Sequence, residues 1–265
     1  MDCIKTFYYS DINSVTENFD KIFQTYLQDG VLCIKDSFFS EKDQKSITEA
    51  LAKKIGLNYI SQHDYEDHHR SIERVGLKSK DEVFINWHLE HVYSNNPQMM
   101  ASWNMVHFTC EKGSGNTGFI KVDDLYSTIP TEYLEFLNNC NIEQNQKTRT
   151  AVAYYDLLKK NILRVDVNKG SDTLVEYQKM IPTKDQIDYF ALIQNHIHEV
   201  VYSTPSIQKW WEWQTGDMII IDLHRMIHCV KGGFDSSQRK FRRFWAYKNN
   251  PSEYEYNFFG NREQK

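Results

Sequence analysis

The apolar residues of this chain come in short runs, bounded by turn residues, that do not alternate regularly with helices. That pattern restricts the fold. A parallel βαβ architecture needs a long crossover, usually a helix, between successive strands. Here candidate strands fall at residues 31–34, 83–93, 99–110, 148–155, 162–167, 218–222 and 238–247. Asp29-Gly30, Ser94-Asn95-Asn96-Pro97, Gly113-Ser114-Gly115-Asn116, Gln214-Thr215-Gly216-Asp217 and Lys231-Gly232-Gly233 punctuate them as turns. Helical spacing is confined to residues 15–26, 40–55, 130–137 and a segment opened by Thr183-Lys184-Asp185. Ser40, with Asp43 three residues later, reads as an N-cap, and Gly56 ends that helix. The expectation is an α+β or β-barrel plan in one domain over residues 1–265, with no internal boundary or repeat.

Charge and cysteine usage exclude several functions. With 31 Lys+Arg against 36 Asp+Glu the net charge is −5, the wrong sign for a dedicated phosphate-backbone binder. The apolar runs are too short to span a bilayer, and the N-terminus lacks a signal-peptide pattern, so a cytoplasmic location is expected. The five cysteines are scattered and form no C-x-x-C pair, which argues for reduced thiols. Oligomeric state leaves no signature.

Chemistry concentrates at Asn86-Trp87-His88-Leu89-Glu90. On a strand, residues two apart share a face, so His88 and Glu90 are expected to project into one cavity. His228 is the candidate third ligand, with His224 as an alternative four residues earlier. Two histidines and one carboxylate on one face of a metal leave three positions open, the arrangement of non-haem iron oxygenases. Eleven residues after His228 comes Arg239, and four later Arg243. On a strand these two face the same way, opposite Lys240 and Arg242, and form an inward fork suited to a carboxylate. Arg242 replaces Arg239 in that role if the strand carries a bulge. Thr117 adds a hydroxyl, with turn capping as its plainer reading. The Trp210, Trp211 and Trp213 cluster and Cys229 read as core packing.

These residues, together with Asn96-Pro97, Gly115-Asn116-Thr117-Gly118-Phe119 and Trp213-x-x-Gly216-Asp217, resemble the TauD/TfdA family of Fe(II)- and 2-oxoglutarate-dependent dioxygenases. The resemblance covers roughly residues 20–248. It implies a double-stranded β-helix (jelly-roll) core with flanking helices. It also implies iron held by His88, Glu90 and His228, and 2-oxoglutarate with its far carboxylate on Thr117 and Arg239. Oxygen would complete the reaction, releasing succinate and CO2 while an unactivated C–H bond is hydroxylated, desaturated or cyclised. Most of the family has H-x-D. The glutamate variant is similar to the clavaminate synthase-like branch, which implies a small polar substrate such as an amino acid or derivative and a place in secondary metabolism. A halogenase has a small residue at this position, so Glu90 argues against halogenation. The alternatives are a cupin-type isomerase or binding protein, which needs no Arg239/Arg243 fork, and a Jumonji-like protein hydroxylase, which usually clamps 2-oxoglutarate with a lysine. The polar stretch 61–85, with His63, His68 and His69, reads as a solvated loop or a lid, and residues 249–265 as a polar tail.

Overall fold

A computed structural model describes residues 4–63, 79–90, 98–235 and 237–250. Strand β1 (Lys5–Tyr8) precedes helices α1 (Ile12–Glu17) and α2 (Phe19–Asp29), strand β2 (Val31–Lys35) and helix α3 (Glu41–Lys54). Strands β3 (Tyr59–His63), β4 (Val83–His88), β5 (Met100–Phe108) and β6 (Thr117–Lys121) follow, then helices α4 (Val122–Tyr126) and α5 (Thr131–Leu137). Strands β7 (Cys140–Gln144), β8 (Lys147–Thr150), β9 (Val152–Tyr155), β10 (Lys160–Leu163) and β11 (Thr173–Tyr177) lead to helix α6 (Lys184–Ser203). The chain ends in β12 (Lys209–Trp211), β13 (Met218–Asp222), β14 (Met226–Lys231) and β15 (Arg239–Tyr247).

Two sheets organise the molecule. The larger has strand order β1-β2-β13-β5-β15-β3 and the smaller β12-β6-β14-β4; within them only β1 and β2 run parallel. Side-chain alternation divides their apolar residues between layers. In β2 and β13, Leu32, Ile34, Met218 and Ile220 pack with α3 residues Ile47 and Leu51. Their neighbours Val31, Cys33, Ile219 and Ile221 share a core with Phe119 and Met226 of the smaller sheet. The smaller sheet's other face, including Trp87, Ile120, Ile227 and Cys229, packs against Phe190, Ile193 and Ile197 of α6. All four residues Met218 to Ile221 have no exposed surface. At about 1.5–3 kcal/mol per buried large aliphatic, such central strands dominate cohesion. Among the described residues no helix is long and apolar enough to cross a membrane.

The start of α3 matches expectation: Ser40 and Asp43 form a reciprocal capping box. Thr183 and Gln186 do the same for α6. Gly30 ends α2 in the left-handed region at φ 73°, which a side chain would resist.

Several expectations need correction. The helix expected over 15–26 is two helices: at Asn18 the backbone leaves helical geometry, at φ −106° and ψ 15°, and its side-chain amide donates to the Ser14 carbonyl. Strand 148–155 breaks at buried Ala151, where the chain changes partners from β7 to β10. The strand expected over 162–167 ends at Leu163. Strands β1, β6, β7, β11, β12 and β14 lie outside the expected strands. The loop expected over 61–85 is not all loop: residues 61–63 belong to β3, paired with β15, and 83–85 to β4. The remainder of that segment's histidine cluster, His68 and His69, lies outside the described residues, as do Asn96-Pro97 and most of the tail.

Candidate metal centre

His88, Glu90 and His228 converge, their ligand atoms all within 4.8 Å of one another. Glu90 Oε2 lies 3.6 Å from His228 Nε2 and 3.9 Å from His88 Nε2. The imidazole centroids are 4.2 Å apart. The two histidines meet because they are register partners across the β4–β14 pair. His228 takes the inner side of β14, its ring 5.3 Å from that of Trp103 on β5, while Ile227 and Cys229 pack on the other side.

Glu90 arrives differently from the expected strand alternation. Strand β4 ends at His88, and Glu90 stands in the turn beyond it. The chain's exit from the strand, rather than the pleat, brings the carboxylate back.

Both rings present the same nitrogen to the centre. His88 Nδ1 lies 2.7 Å from the Asn86 carbonyl and His228 Nδ1 lies 3.4 Å from the Met226 carbonyl. A carbonyl only accepts, so each Nδ1 carries a proton, and in the neutral ring the lone pair is then on the Nε2 that faces Glu90. Burial, then the neighbouring His228, pushes His88 down to about 4, with Glu90 opposing the shift. A neutral imidazole is the form a metal needs. Two such nitrogens and one carboxylate fit a divalent first-row ion.

Thr117 and Arg239 come together as expected. Arg239 donates from an Nη to Thr117 Oγ1 at 3.0 Å. Trp213 Nε1 donates to the same oxygen at 2.8 Å. These two donors occupy the hydroxyl's lone pairs, and its remaining capacity is to donate. Trp213 packs in the core as expected, and its indole N–H also orients Thr117. Arg239 lies against the Phe234 and Phe241 rings, at 5.2 and 4.4 Å. Its buried Nε has no hydrogen-bond partner and no carboxylate pairs with it among the described residues. Burial pulls its pKa down to about 9; Cys110 opposes the shift and the charge of Arg243 adds to it. A cation held this way, beside a hydroxyl left to donate, suits an incoming carboxylate.

A bulge does occur near Arg239, but on the partner strand. Between Lys240 and Phe241 the register skips Val106 of β5, so β15 keeps its alternation. Arg242 points to the opposite face of β15 from Arg239. Its Nε donates to Gln44 Oε1 at 2.7 Å and an Nη to the Phe39 carbonyl, toward α3. His224 does not join the cluster: it is buried near Tyr155, its pKa pushed down to about 3 by burial and by Arg164. Gly118 is required by close approach, because a Cβ there would sit 2.5 Å from the Trp87 ring and 2.8 Å from Cys229 Sγ.

Two neighbours of the centre escaped the sequence reading. Trp103 follows from strand alternation once β5 is placed opposite β6. Asn168, whose side-chain amide reaches the Trp87 carbonyl at 2.8 Å, lies 81 residues away in irregular chain and leaves no periodic signal.

The profile of the taurine catabolism dioxygenase TauD, TfdA family matches residues 5–245. The chain belongs to that family. It is a 2-oxoglutarate-dependent non-haem iron dioxygenase, with iron(II) as cofactor and 2-oxoglutarate and oxygen as co-substrates. Among solved structures it is similar to AAD-2 in complex with Mn(II) and N-oxalylglycine, at TM-score 0.65 and 12% identity, covering 95% of this chain and 97% of that one. A protein described as an alpha-ketoglutarate-dependent 2,4-D dioxygenase from Burkholderia xenovorans aligns at TM-score 0.66 and 13% identity, over 94% and 95%. A taurine dioxygenase from the same organism aligns at TM-score 0.60 and 12% identity, over 87% and 80%. Comparison with curated protein sequences gives no match.

Proposed function

We propose that this enzyme oxidises an unactivated C–H bond of a small polar molecule, an amino acid or a derivative of one, by hydroxylation or by a diverted desaturation or cyclisation. The observation that carries the reading is the convergence of His88, Glu90 and His228, with both Nε2 atoms turned toward the carboxylate. In this reading these three side chains hold iron(II). Iron(II) with 2-oxoglutarate and oxygen supplies the oxidising power, 2-oxoglutarate leaving as succinate and CO2. Thr117 and Arg239 receive the far carboxylate of 2-oxoglutarate, Thr117 by donating its hydroxyl proton and Arg239 through its charge. Arg243 completes the inward fork and adds positive potential beside Arg239. Trp213 holds the Thr117 hydroxyl in the donating orientation. Phe234 and Phe241 keep water from the guanidinium, which strengthens its attraction for an anion.

The two sheets that share the Trp103, Phe119 and Met226 core are read as a double-stranded β-helix, or jelly-roll. Glu90 in place of the more usual aspartate supports an amino-acid-type substrate. A Jumonji-like or cupin-type reading gives no account of the part-buried Arg239–Thr117 pair.

The test is a screen of amino acids and their amides with iron(II) and 2-oxoglutarate, reading succinate formation and oxygen uptake together. Substrate-dependent, equimolar succinate production and oxygen uptake is expected for at least one compound class. Turnover driven instead only by peptides or proteins would overturn the substrate class.

A further inference from the structure

Among the described residues strand β4 has β14 as its one hydrogen-bonded neighbour, and it ends at His88. The outer backbone groups of a strand paired on one side must be satisfied from outside that pairing. Two of the three candidate ligands nevertheless depend on where this segment ends, His88 as its last residue and Glu90 as its continuation. The outer carbonyl at that point, Trp87 O, accepts a 2.8 Å hydrogen bond from Asn168 Nδ2.

Asn168 is itself held from several directions. Its Nδ2 and its backbone N–H both donate to Asp166 Oδ1, at 2.9 and 2.8 Å, and its Oδ1 accepts from the Tyr202 hydroxyl of α6 at 3.2 Å. Asp166 is anchored in turn. Its Oδ2 accepts from Gln144 Nε2 at 3.0 Å, and its backbone N–H donates to Asp172 Oδ2 at 2.6 Å. Asp172 carries the charge of Arg149, at 2.6 Å. The carboxamide thus has one rotamer and one amide orientation that satisfy its partners. The segment from β7 to α6 contributes no ligand, yet it ends in a rigid donor aimed at the peptide between Trp87 and His88.

We propose that Asn168 is a positioning residue for the metal centre. By fixing the Trp87–His88 peptide it sets both the reach of His88 and the exit direction that returns Glu90. This inference rests on reading His88, Glu90 and His228 as metal ligands. Residues that orient ligands from behind typically change metal affinity 10–100-fold when lost.

The test is anaerobic Mn(II) titration of the full chain, reading free Mn(II) by electron paramagnetic resonance, beside thermal unfolding of the metal-free protein. Asn168→Ala is expected to weaken Mn(II) binding at least tenfold. Asn141→Ala, which removes a 2.6 Å bond to Glu176 in the same segment and no bond to the Trp87–His88 peptide, serves as the control. It should lower the melting temperature and leave Mn(II) affinity within twofold of wild type. If Asn168→Ala does not fold, Asn168→Asp preserves the shape, removes the donor, and is read in the same titration with the same expected loss. Unchanged affinity in whichever folded Asn168 variant is measured, with wild type binding normally, overturns the positioning role alone. Failure of wild type to bind Mn(II) overturns the metal reading on which it rests.

Discussion

The two strands that deliver the candidate ligands are built differently. Strand β14 is central, paired with β6 on one side and β4 on the other, and its residues Met226 to Cys229 are essentially buried. Its leading turn is bolted down as well. Arg225 donates to the carbonyls of Tyr26, Leu27 and Gln28 at the end of α2, and Asp222 accepts from the Tyr155 hydroxyl at 2.9 Å. Among the described residues strand β4 has one neighbour, two register shifts within that pairing, and an end at the very residue that must be placed. The candidate centre thus combines one side chain on a strand buried in the core with one at the end of β4 and one just beyond it, and the Asn168 bond to the Trp87 carbonyl reaches that end from outside the sheet.

The largest expected expression of this asymmetry is in hydrogen exchange of the metal-free protein. Amides of Ile227 to Val230 should exchange at least a hundredfold more slowly than those of Phe84 to Trp87, because central strands open only with the core. Equal protection would remove the distinction between the strands.

Next in size is the arginine pair on β15. Hydrogen bonds to a charged group contribute about 1.5–3 kcal/mol each. Arg239→Ala should therefore weaken 2-oxoglutarate binding by roughly 10- to 150-fold. Arg242→Ala should change it less than twofold and lower stability instead, since it frees Gln44 and the Phe39 carbonyl. Isothermal titration of the Mn(II)-loaded enzyme measures both, and reversed effects would return the clamp to Arg242.

Gly118→Ala comes third. The added methyl meets Trp87, Cys229 and Trp210 at once, and overpacking of this kind costs about 1–3 kcal/mol. Urea unfolding reads the loss. Because Trp87 adjoins His88, Mn(II) affinity should fall with it.

The smallest effect is a pH dependence at the β13–β14 turn. Burial raises the Asp222 carboxyl to about 6, against the opposing effects of Arg225 and the Tyr155 hydroxyl. The folded pKa lies above the unfolded carboxylate value near ~4, so its contribution is fully present below that value and is lost as pH rises through about 6. Asp222→Asn cannot ionise. Its melting temperature relative to wild type should therefore rise between pH 4 and pH 6. A flat difference across that window would contradict the assigned burial.

The residues of the site were more legible in the sequence than the manner of their placement. His88, Glu90, His228, Thr117 and Arg239 are named by side-chain chemistry and order along the chain, and both survive without knowledge of the pairing. The capping residues Ser40 and Thr183 were legible for the same reason, since each acts within three residues. Misread features depend on distant partners. Glu90 was assigned to a strand because alternation is a local rule, whereas the end of β4 is set by its pairing with β14. The Val106 bulge belongs to β5, so nothing within β15 announces that its alternation is intact. Residues 59–63 carry little apolar periodicity, and their strand is imposed by the open edge of β15. Asn168 acts across 81 residues through one carboxamide, a contact no periodicity encodes.

The central claim is that His88, Glu90 and His228 hold iron on which 2-oxoglutarate chelates. Its most direct measurement is the anaerobic visible spectrum on adding iron(II) and 2-oxoglutarate to wild type, His228→Ala and His224→Ala. The account predicts a weak charge-transfer band in wild type, retained in His224→Ala and abolished in His228→Ala. A folded wild type without the band, or a band lost with His224 and kept without His228, would contradict it.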